Sequence, residues 1–435
     1  MPMWSKLCTA SINVTYINFY AINYNSGCEH RLAGRQHSHS KKCLISLKRA
    51  FERQSPCSIE TKRKLSNGVH GCVPMNIGII AHLKHPIKKP FMGGLEAFTY
   101  EITKRLAAKG HQVTLYASEH SDPDLNVSVI LSDIDYDRET FSRFRSHELS
   151  EDFISTHHAY LELMQDIDGK EHDVIFNNSL NYVPVTMATL IETPMVTVLH
   201  TPPIFELKRA MSHERKTGKV KYVSVSNSNA IAWQPYLNAC EVITNGVDVD
   251  SWKYIDKPSG EYVIWFGRIH PDKGTHIAIQ AAKIAGYKIK VAGSIADHHY
   301  YQTYVEPLLD DHVTLLGNCS HEELNLLIGN ALCSVITPCW EEPFGLVVAE
   351  SLACGTPVAG IAKGALPYLV NAQTGCLTSS TNPSELANCI NGAIHLKRED
   401  CRKYAEKMLN IERTTEAYER ILTATIEQQK NVSVL

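Results

Sequence analysis

The sequence predicts two doubly wound α/β domains, each built on a parallel sheet, and three observations carry that expectation. Short apolar runs alternate with amphipathic stretches of helical period from about residue 75 to residue 430. The alternation comes as two successive series, separated by the turn-rich joint Asn245-Gly246-Val247-Asp248. The chain has 435 residues, 44% hydrophobic and 20% charged, which suits a globular protein of two or three domains. Sheets of this kind bind ligands outside the carboxyl ends of their strands, so two of them facing each other put the site in the cleft between.

The first series opens with Asn76-Ile77-Gly78-Ile79-Ile80-Ala81, whose continuous apolar character fits a buried parallel strand. A polar loop over 82–92 leads to Gly93-Gly94 and then to a helix over 95–109. Leu95, Phe98, Ile102 and Leu106 keep its three-to-four spacing, and Gly110 is the expected stop. His111 to Tyr116 supplies the second strand of this β-α-β unit. Further strands are expected at 173–176, 195–199, 221–225 and 241–243. In the second series, strands are expected at 262–266, 288–292, 313–316, 334–337 and 357–359, with helices over 275–285 and 344–353. Two or three helices over 383–428 close the chain. The domains are expected to be 75–246 and 247–410, followed by a C-terminal helical segment, 411–435.

Charge and cysteine usage exclude several classes. The formal net charge of -3 gives no footprint for nucleic acid. No run of 18 or more apolar residues suggests a membrane span. Residues 1–74 differ from the rest, with 11 Lys and Arg against 3 Asp and Glu. They read as a disordered or non-native leader, translation starting at Met75. A targeting arm, or a small metal tract using His37, His39 and Cys43, is the functional alternative. The 13 cysteines contain no Cys-x-x-Cys spacing and fit reduced thiols of a cytoplasmic protein.

Two segments carry chemistry. Trp340-Glu341-Glu342-Pro343-Phe344-Gly345-Leu346 reads as a strand end, a Pro at the first helical position and a helix running to Ala353. Glu350 lies eight residues beyond Glu342, about 12 Å along such a helix. The two carboxylates then suit two separate polyols rather than one bond, and the helix N-terminus between them suits a phosphate. Alone, the pair also fits a capping carboxylate and a surface Glu. In Gly267-Arg268-Ile269-His270-Pro271-Asp272-Lys273-Gly274, Arg268 and Lys273 can converge on a diphosphate. Alone, this octapeptide also fits a polar strand-helix loop.

Together these segments resemble the retaining glycosyltransferases of family four, which have the GT-B fold of two Rossmann-like domains. Glu342 to Glu350 matches the family's Glu-x7-Glu motif, and Gly267 to Gly274 its Gly-Arg-x4-Lys-Gly. Gly93-Gly94 matches its Gly-Gly loop, and Thr197-Val198-Leu199-His200-Thr201 its strand-end His. The resemblance implies that Arg268 and Lys273 neutralise the diphosphate of a nucleotide-sugar while the backbone of Gly93 and Gly94 approaches it. Glu342, with the backbone of Phe344, Gly345 and Leu346, would contact the donor sugar. Glu350 would bind the ribose, the base would stack near Leu316, and His200 would line the cleft. His200 also reads as hydrogen-bonded structure; its strand-end position favours the cleft. Tyr368 stands where the family commonly has a Glu, which puts a donor role for the loop 364–368 in doubt. The resemblance further implies a final helix that returns to the N-terminal domain.

Other features read more plainly. Asp133-Ile134-Asp135 after an apolar run could hold a metal, but Asp is common at turns and N-caps. The basic stretch from Lys208 to Lys221 reads as a solvated face, with peripheral membrane contact as the alternative. Lys84, Lys88 and Lys89 read similarly, with acceptor contact as theirs. The expected function is metal-independent, cofactor-free transfer of a sugar from a nucleoside diphosphate sugar, UDP-sugar favoured, with retention. The acceptor is a glycan, lipid or small molecule. The alternatives are an epimerase or phosphorylase of the same fold, or an inactive nucleotide-binding protein.

Overall fold

The computed structural model describes residues 73–132 and 151–433. The leader's His37, His39 and Cys43, and the Asp133-Ile134-Asp135 segment, lie outside the described residues. The first half holds β1 (Asn76–Ile80), α1 (Gly94–Ala108), β2 (Gln112–Ser118), β3 (Val127–Leu131), α2 (Glu151–Gln165) and β4 (Val174–Asn177). It continues with α3 (Tyr182–Met187), β5 (Met195–Leu199), α4 (Phe205–Glu214), β6 (Val220–Ser224), α5 (Asn227–Trp233) and β7 (Glu241–Val242). These strands form one parallel sheet in the order β3-β2-β1-β4-β5-β6-β7.

The second half holds β8 (Tyr262–Phe266), α6 (Thr275–Ala285), β9 (Lys288–Ala292), β10 (Val313–Gly317), α7 (His321–Gly329), β11 (Ser334–Ile336), α8 (Leu346–Ala353), β12 (Val358–Ile361), α9 (Leu366–Leu369) and β13 (Gly375–Thr378). Its parallel sheet runs β10-β9-β8-β11-β12-β13. Three helices follow: α10 (Pro383–Ala393), α11 (Arg398–Met408) and α12 (Ile411–Ser433). The central strands are apolar on both faces, as parallel strands covered by helices must be; Ile77, Ile79, Ile80, Val263 and Ile264 are fully buried.

The chain passes between the halves twice, and the two passages pair. Val247 N–H donates to Leu409 O at 2.8 Å, and Ile411 N–H donates to Val247 O at 2.9 Å. A Cβ on Gly246 would stand 2.6 Å from the carbonyl carbon of Asn410, so this crossing has no room for a larger residue. From it, α12 runs back over α1, β4 and β5 of the first half. Tyr418 anchors it, fully buried between Phe98 and Phe176, with ring centroids 5.6 and 5.0 Å away. Arg105 on α1 adds ion pairs to Asp248 and Glu412, and Lys109 pairs with Glu419. Each pair keeps one partner about a third or more exposed and adds modestly to the apolar packing of the helix. The Tyr418 hydroxyl is buried with no hydrogen-bond partner among the described residues. Tyr418→Phe is therefore expected to stabilise the chain, by about 1 kcal/mol, because it removes a dehydrated polar group. A lowered urea midpoint would contradict this.

The final helix starts at Ile411, in the crossing itself. One expectation needs correction. Pro343 is not at the start of α8. Gly345 is the N-cap, in the left-handed region at φ +90, and the helix begins at Leu346. The cause is tertiary: Ala365 N–H donates to Glu342 O at 2.8 Å and Gly364 packs on the Glu342 backbone, so residues 342–344 form a loop. The 12 Å spacing along one helix therefore does not apply to Glu342 and Glu350.

The basic stretch is mostly tied to the surface. Lys208 lies over the Tyr236 ring at 5.4 Å and Arg215 donates to Asn238 Oδ1 at 2.7 Å. Lys219 donates to the carbonyls of Thr189 and Ile191, and Lys221 pairs with Glu241 at 3.0 Å. Among the described residues, no helix is long and apolar enough to cross a membrane.

Candidate functional site

Both halves bring their candidate residues to loops that follow strands. In the second half, β8 ends at Phe266, and Gly267 takes φ +144 to turn the chain outward. Arg268 is exposed there. A single turn over Pro271–Lys273 is capped by His270, whose Nδ1 accepts from Asp272 N–H at 3.3 Å. Gly274 then takes φ +62, where a Cβ would stand 2.4 Å from Thr337 O. Thr337 Oγ1 donates to both the Lys273 and Gly274 carbonyls, at 2.7 and 3.0 Å. Backbone packing thus fixes the direction of Lys273.

Lys273 Nζ meets Glu342 Oε2 at 2.5 Å, and the Trp340 indole N–H donates to the same oxygen at 3.0 Å. Lys273 also lies over the Trp340 ring, 5.3 Å from its centroid. The pair is part-buried, with the two side chains 26% and 14% exposed, so solvent weakens this ion pair less than one at the surface. Glu342 is backed by Gly364, whose φ of +60 lets it lie flat; a Cβ would stand 2.3 Å from Glu342 N and O. The loop 364–368 therefore holds Glu342 from behind, whatever Tyr368 does. Lys363 beside it donates to Cys339 O at 2.6 Å.

Phe344 is buried, and Leu346 starts α8 with no acidic residue in its first turn and no side-chain cap at Gly345. That helix end presents free N–H groups and the positive end of its dipole. Glu350 stands just past the first turn of α8, where burial pushes its carboxyl up to about 7. Leu316 lies on the edge strand β10, half-buried against the same core cluster as Phe344 and Leu346.

The first half reaches the same place. Gly93 caps α1 in extended conformation, φ -166, and Gly94 opens the helix. A Cβ on Gly94 would stand 2.9 Å from Leu346 Cδ1, so the Gly-Gly loop faces the start of α8. Glu96 is buried in the first turn of α1, where the apolar pattern pointed to Leu95 instead. Desolvation raises its pKa, and its own backbone N–H and the charge of Arg268 oppose that rise.

His200, at the end of β5, pairs its Nε2 with Asn178 Oδ1 at 2.8 Å and packs edge-on to Phe98 at 4.9 Å. Burial and the neighbouring His82 push its pKa down to about 3. The ring is neutral at physiological pH and a poor proton acceptor. His82 is likewise held down to about 4 by burial, with His85 and Lys84 nearby.

The structure thus unites Lys273 with Glu342 and Gly94 with Leu346. Sequence reasoning passed over Trp340, Glu96, His82 and Asn178. Asn177-Asn178-Ser179 is a polar run at the end of an apolar strand, a signal that could have marked Asn178. Among the described residues, no group of three His, Cys, Asp or Glu side chains could hold a metal ion.

Comparison with known proteins follows this division. Residues 92–251 match the model of Glycosyltransferase Family 4, and residues 248–408 that of Glycosyl transferases group 1. The D-inositol 3-phosphate glycosyltransferases of Mycobacterium tuberculosis and Mycobacterium bovis are 34% identical over 174 residues, 36% of this chain and 36% of each relative. The match thus spans about a third of the length of those relatives. Among solved structures, Anabaena HepE in complex with UDP superposes with a TM-score of 0.62 at 20% identity, over 80% of this chain and 100% of that one. Sucrose-phosphate synthase of Thermosynechococcus elongatus gives 0.64 at 17% identity, over 80% and 100%. A glycosyltransferase of Rickettsia africae gives 0.65 at 17%, over 81% and 99%. With the two domain models in tandem and two facing parallel-sheet domains beneath them, the chain belongs with the GT-B glycosyltransferases.

Proposed function

We propose that the protein transfers a sugar from a nucleoside diphosphate sugar, UDP-sugar favoured, to an acceptor hydroxyl, without a metal and with retention at the anomeric carbon. The observation that carries this reading is the Lys273–Glu342 pair, on the loops that also hold the free start of α8, which Gly94 faces. The arrangement offers the held Lys273, the exposed Arg268 and a helix end to a diphosphate, and a carboxylate to the attached sugar. HepE, of the same fold, has been crystallised with UDP and with UDP-glucose, which supports the choice of UDP. Retention rests on the family resemblance.

In the reaction, the acceptor hydroxyl oxygen bonds to the anomeric carbon as the bond from that carbon to the diphosphate oxygen breaks. The electron pair leaves with UDP, where Arg268 and Lys273 balance the growing charge. His200 is neutral and held by Asn178, so the hydroxyl proton passes to the departing diphosphate rather than to the imidazole. His200 lines the sugar side of the cleft, and Glu350 takes the ribose hydroxyls.

Thermal unfolding of the full chain with UDP, GDP, ADP, CDP and dTDP, with and without EDTA, tests the reading. UDP is expected to raise the melting temperature most, EDTA is expected to change nothing, and Arg268→Ala with Lys273→Ala is expected to abolish the shift. No shift with any nucleotide in a folded chain would overturn it. A pH series tests Glu350. Its carboxyl titrates near 7 in the folded chain, and the ionised form accepts hydroxyl hydrogen bonds on both oxygens. UDP-glucose, whose diphosphate does not titrate in this range, is therefore expected to bind more tightly at pH 8 than at pH 6. Glu350→Gln should flatten that dependence; an unchanged slope would remove Glu350 from the site.

A further inference from the structure

The Lys273–Glu342 pair rests on a residue to which the donor reading assigns no part. Trp340 donates its indole N–H to Glu342 Oε2 at 3.0 Å. The Lys273 ammonium, 2.5 Å from the same oxygen, lies over the Trp340 ring, 5.3 Å from its centroid. One side chain thus touches both members of the pair through different parts: the N–H meets the acid, and the electron-rich face meets the base. Both contacts fall on Oε2, and among the described residues no hydrogen bond is made to Oε1. A carboxylate accepts on both oxygens, so Oε1 stays available to a hydroxyl of a bound sugar.

The backbone that carries the ring is held on both sides. Cys339 N–H donates to Asp272 O at 2.7 Å, and Lys363 Nζ donates to Cys339 O at 2.6 Å. Beyond the ring, Gly364 N–H donates to Glu341 Oε2 at 3.0 Å and Ala365 N–H to Glu342 O at 2.8 Å. Trp340 is therefore tied to the loops after β8 and β12. This matters when a donor arrives. The diphosphate competes for the Lys273 ammonium, and a carboxylate only 14% exposed would then lose its cation. The indole nitrogen donates but carries no charge, so a diphosphate attracts it less than it attracts Lys273, and the bond to Glu342 persists.

Resting on the transferase reading, we propose that Trp340 is a positioning residue: its N–H holds Glu342 against the donor sugar while Lys273 turns to the diphosphate. A role exercised through Glu342 affects the sugar and not the nucleotide, which a purely structural role would not. The test is calorimetric titration of the full chain with UDP and with UDP-glucose. Trp340→Phe keeps a ring under Lys273 and removes the N–H. It is expected to weaken UDP-glucose at least about tenfold, the scale of one hydrogen bond to a charged group, and to leave UDP within about twofold of the parent. In a Glu342→Ala background the same change is expected to leave both ligands within about twofold, because the group that Trp340 holds is gone. A benzothienylalanine at position 340, with the shape of tryptophan and sulfur in place of the N–H, should reproduce Trp340→Phe and keeps the test alive should that variant fail to fold. Equal losses for UDP and UDP-glucose, UDP-glucose binding within about twofold of the parent, or the same loss in the Glu342→Ala background would overturn the proposal. A folded parent that binds no UDP refutes the transferase reading, and the proposal with it. A parent that binds UDP and no UDP-glucose, or that responds in one of those three ways, refutes only the positioning role.

Discussion

Lys273→Ala is expected to lower turnover of UDP-glucose about 10²–10³-fold, the usual loss when one preorganised charge is removed from a developing anion. Two effects combine. The leaving diphosphate loses a point charge whose direction is fixed by Thr337 and Gly274 behind it. Glu342 also loses its cation and keeps only the Trp340 indole, so a part-buried carboxylate is left without a counter-charge. Lys273→Arg should not restore the rate. A planar guanidinium is larger and forks its donors, whereas the single ammonium meets Glu342 and lies over the Trp340 ring at once. Because the two residues touch, Lys273→Ala and Glu342→Gln are expected to be non-additive in kcat/KM by more than 0.5 kcal/mol in a double-mutant cycle. Additive losses, or a Lys273→Ala enzyme within about fivefold of the parent, would show that the pair is structural.

The order of elements was legible because parallel strands buried on both faces must be continuously apolar. Ile77 to Ile80 and Val263 to Phe266 can be read that way with no knowledge of the fold. The loops at Gly274 and Gly345 were legible through residue type, since at φ +62 and φ +90 these positions favour glycine for steric reasons. What could not be read depends on contacts between distant segments. The start of α8 is set by Gly364 and Ala365 pressing on Glu342, and no local propensity carries that information. Glu96 lies outside the apolar pattern of its helix, yet it is buried, 3.9 Å from His82. The low basicity of His200 likewise follows from burial, which residue type does not record.

Arg398→Leu is expected to cost about 3–5 kcal/mol, the scale of breaking a buried charged network, and to be the most destabilising of the substitutions considered. Arg398 opens α11, where a charged residue in Lys-Arg-Glu-Asp would ordinarily face water, yet it is 8% exposed. Its Nε donates to Ile255 O at 2.6 Å and its Nη1 to Ala331 O at 3.0 Å. Its Nη2 reaches Gly329 O at 2.7 Å, Thr356 Oγ1 at 2.7 Å and Cys354 O at 3.3 Å. Gly329 ends α7 and Cys354 is the C-cap of α8, so one guanidinium satisfies carbonyls at two helix C-termini and places its charge at the negative ends of both dipoles. Leucine would fill the space but orphan those carbonyls. Lysine keeps the charge, but a single nitrogen with three donors cannot span contacts spread over the guanidinium fork, so Arg398→Lys should recover only part of the loss. The urea midpoint of the second domain should fall with little change in slope. Saturating UDP should restore part of the midpoint, since it binds only the folded form. Arg398 touches no candidate site residue, so the specific activity of the folded fraction should stay within about twofold of the parent. A loss of activity without a loss of stability would place Arg398 in the donor site instead.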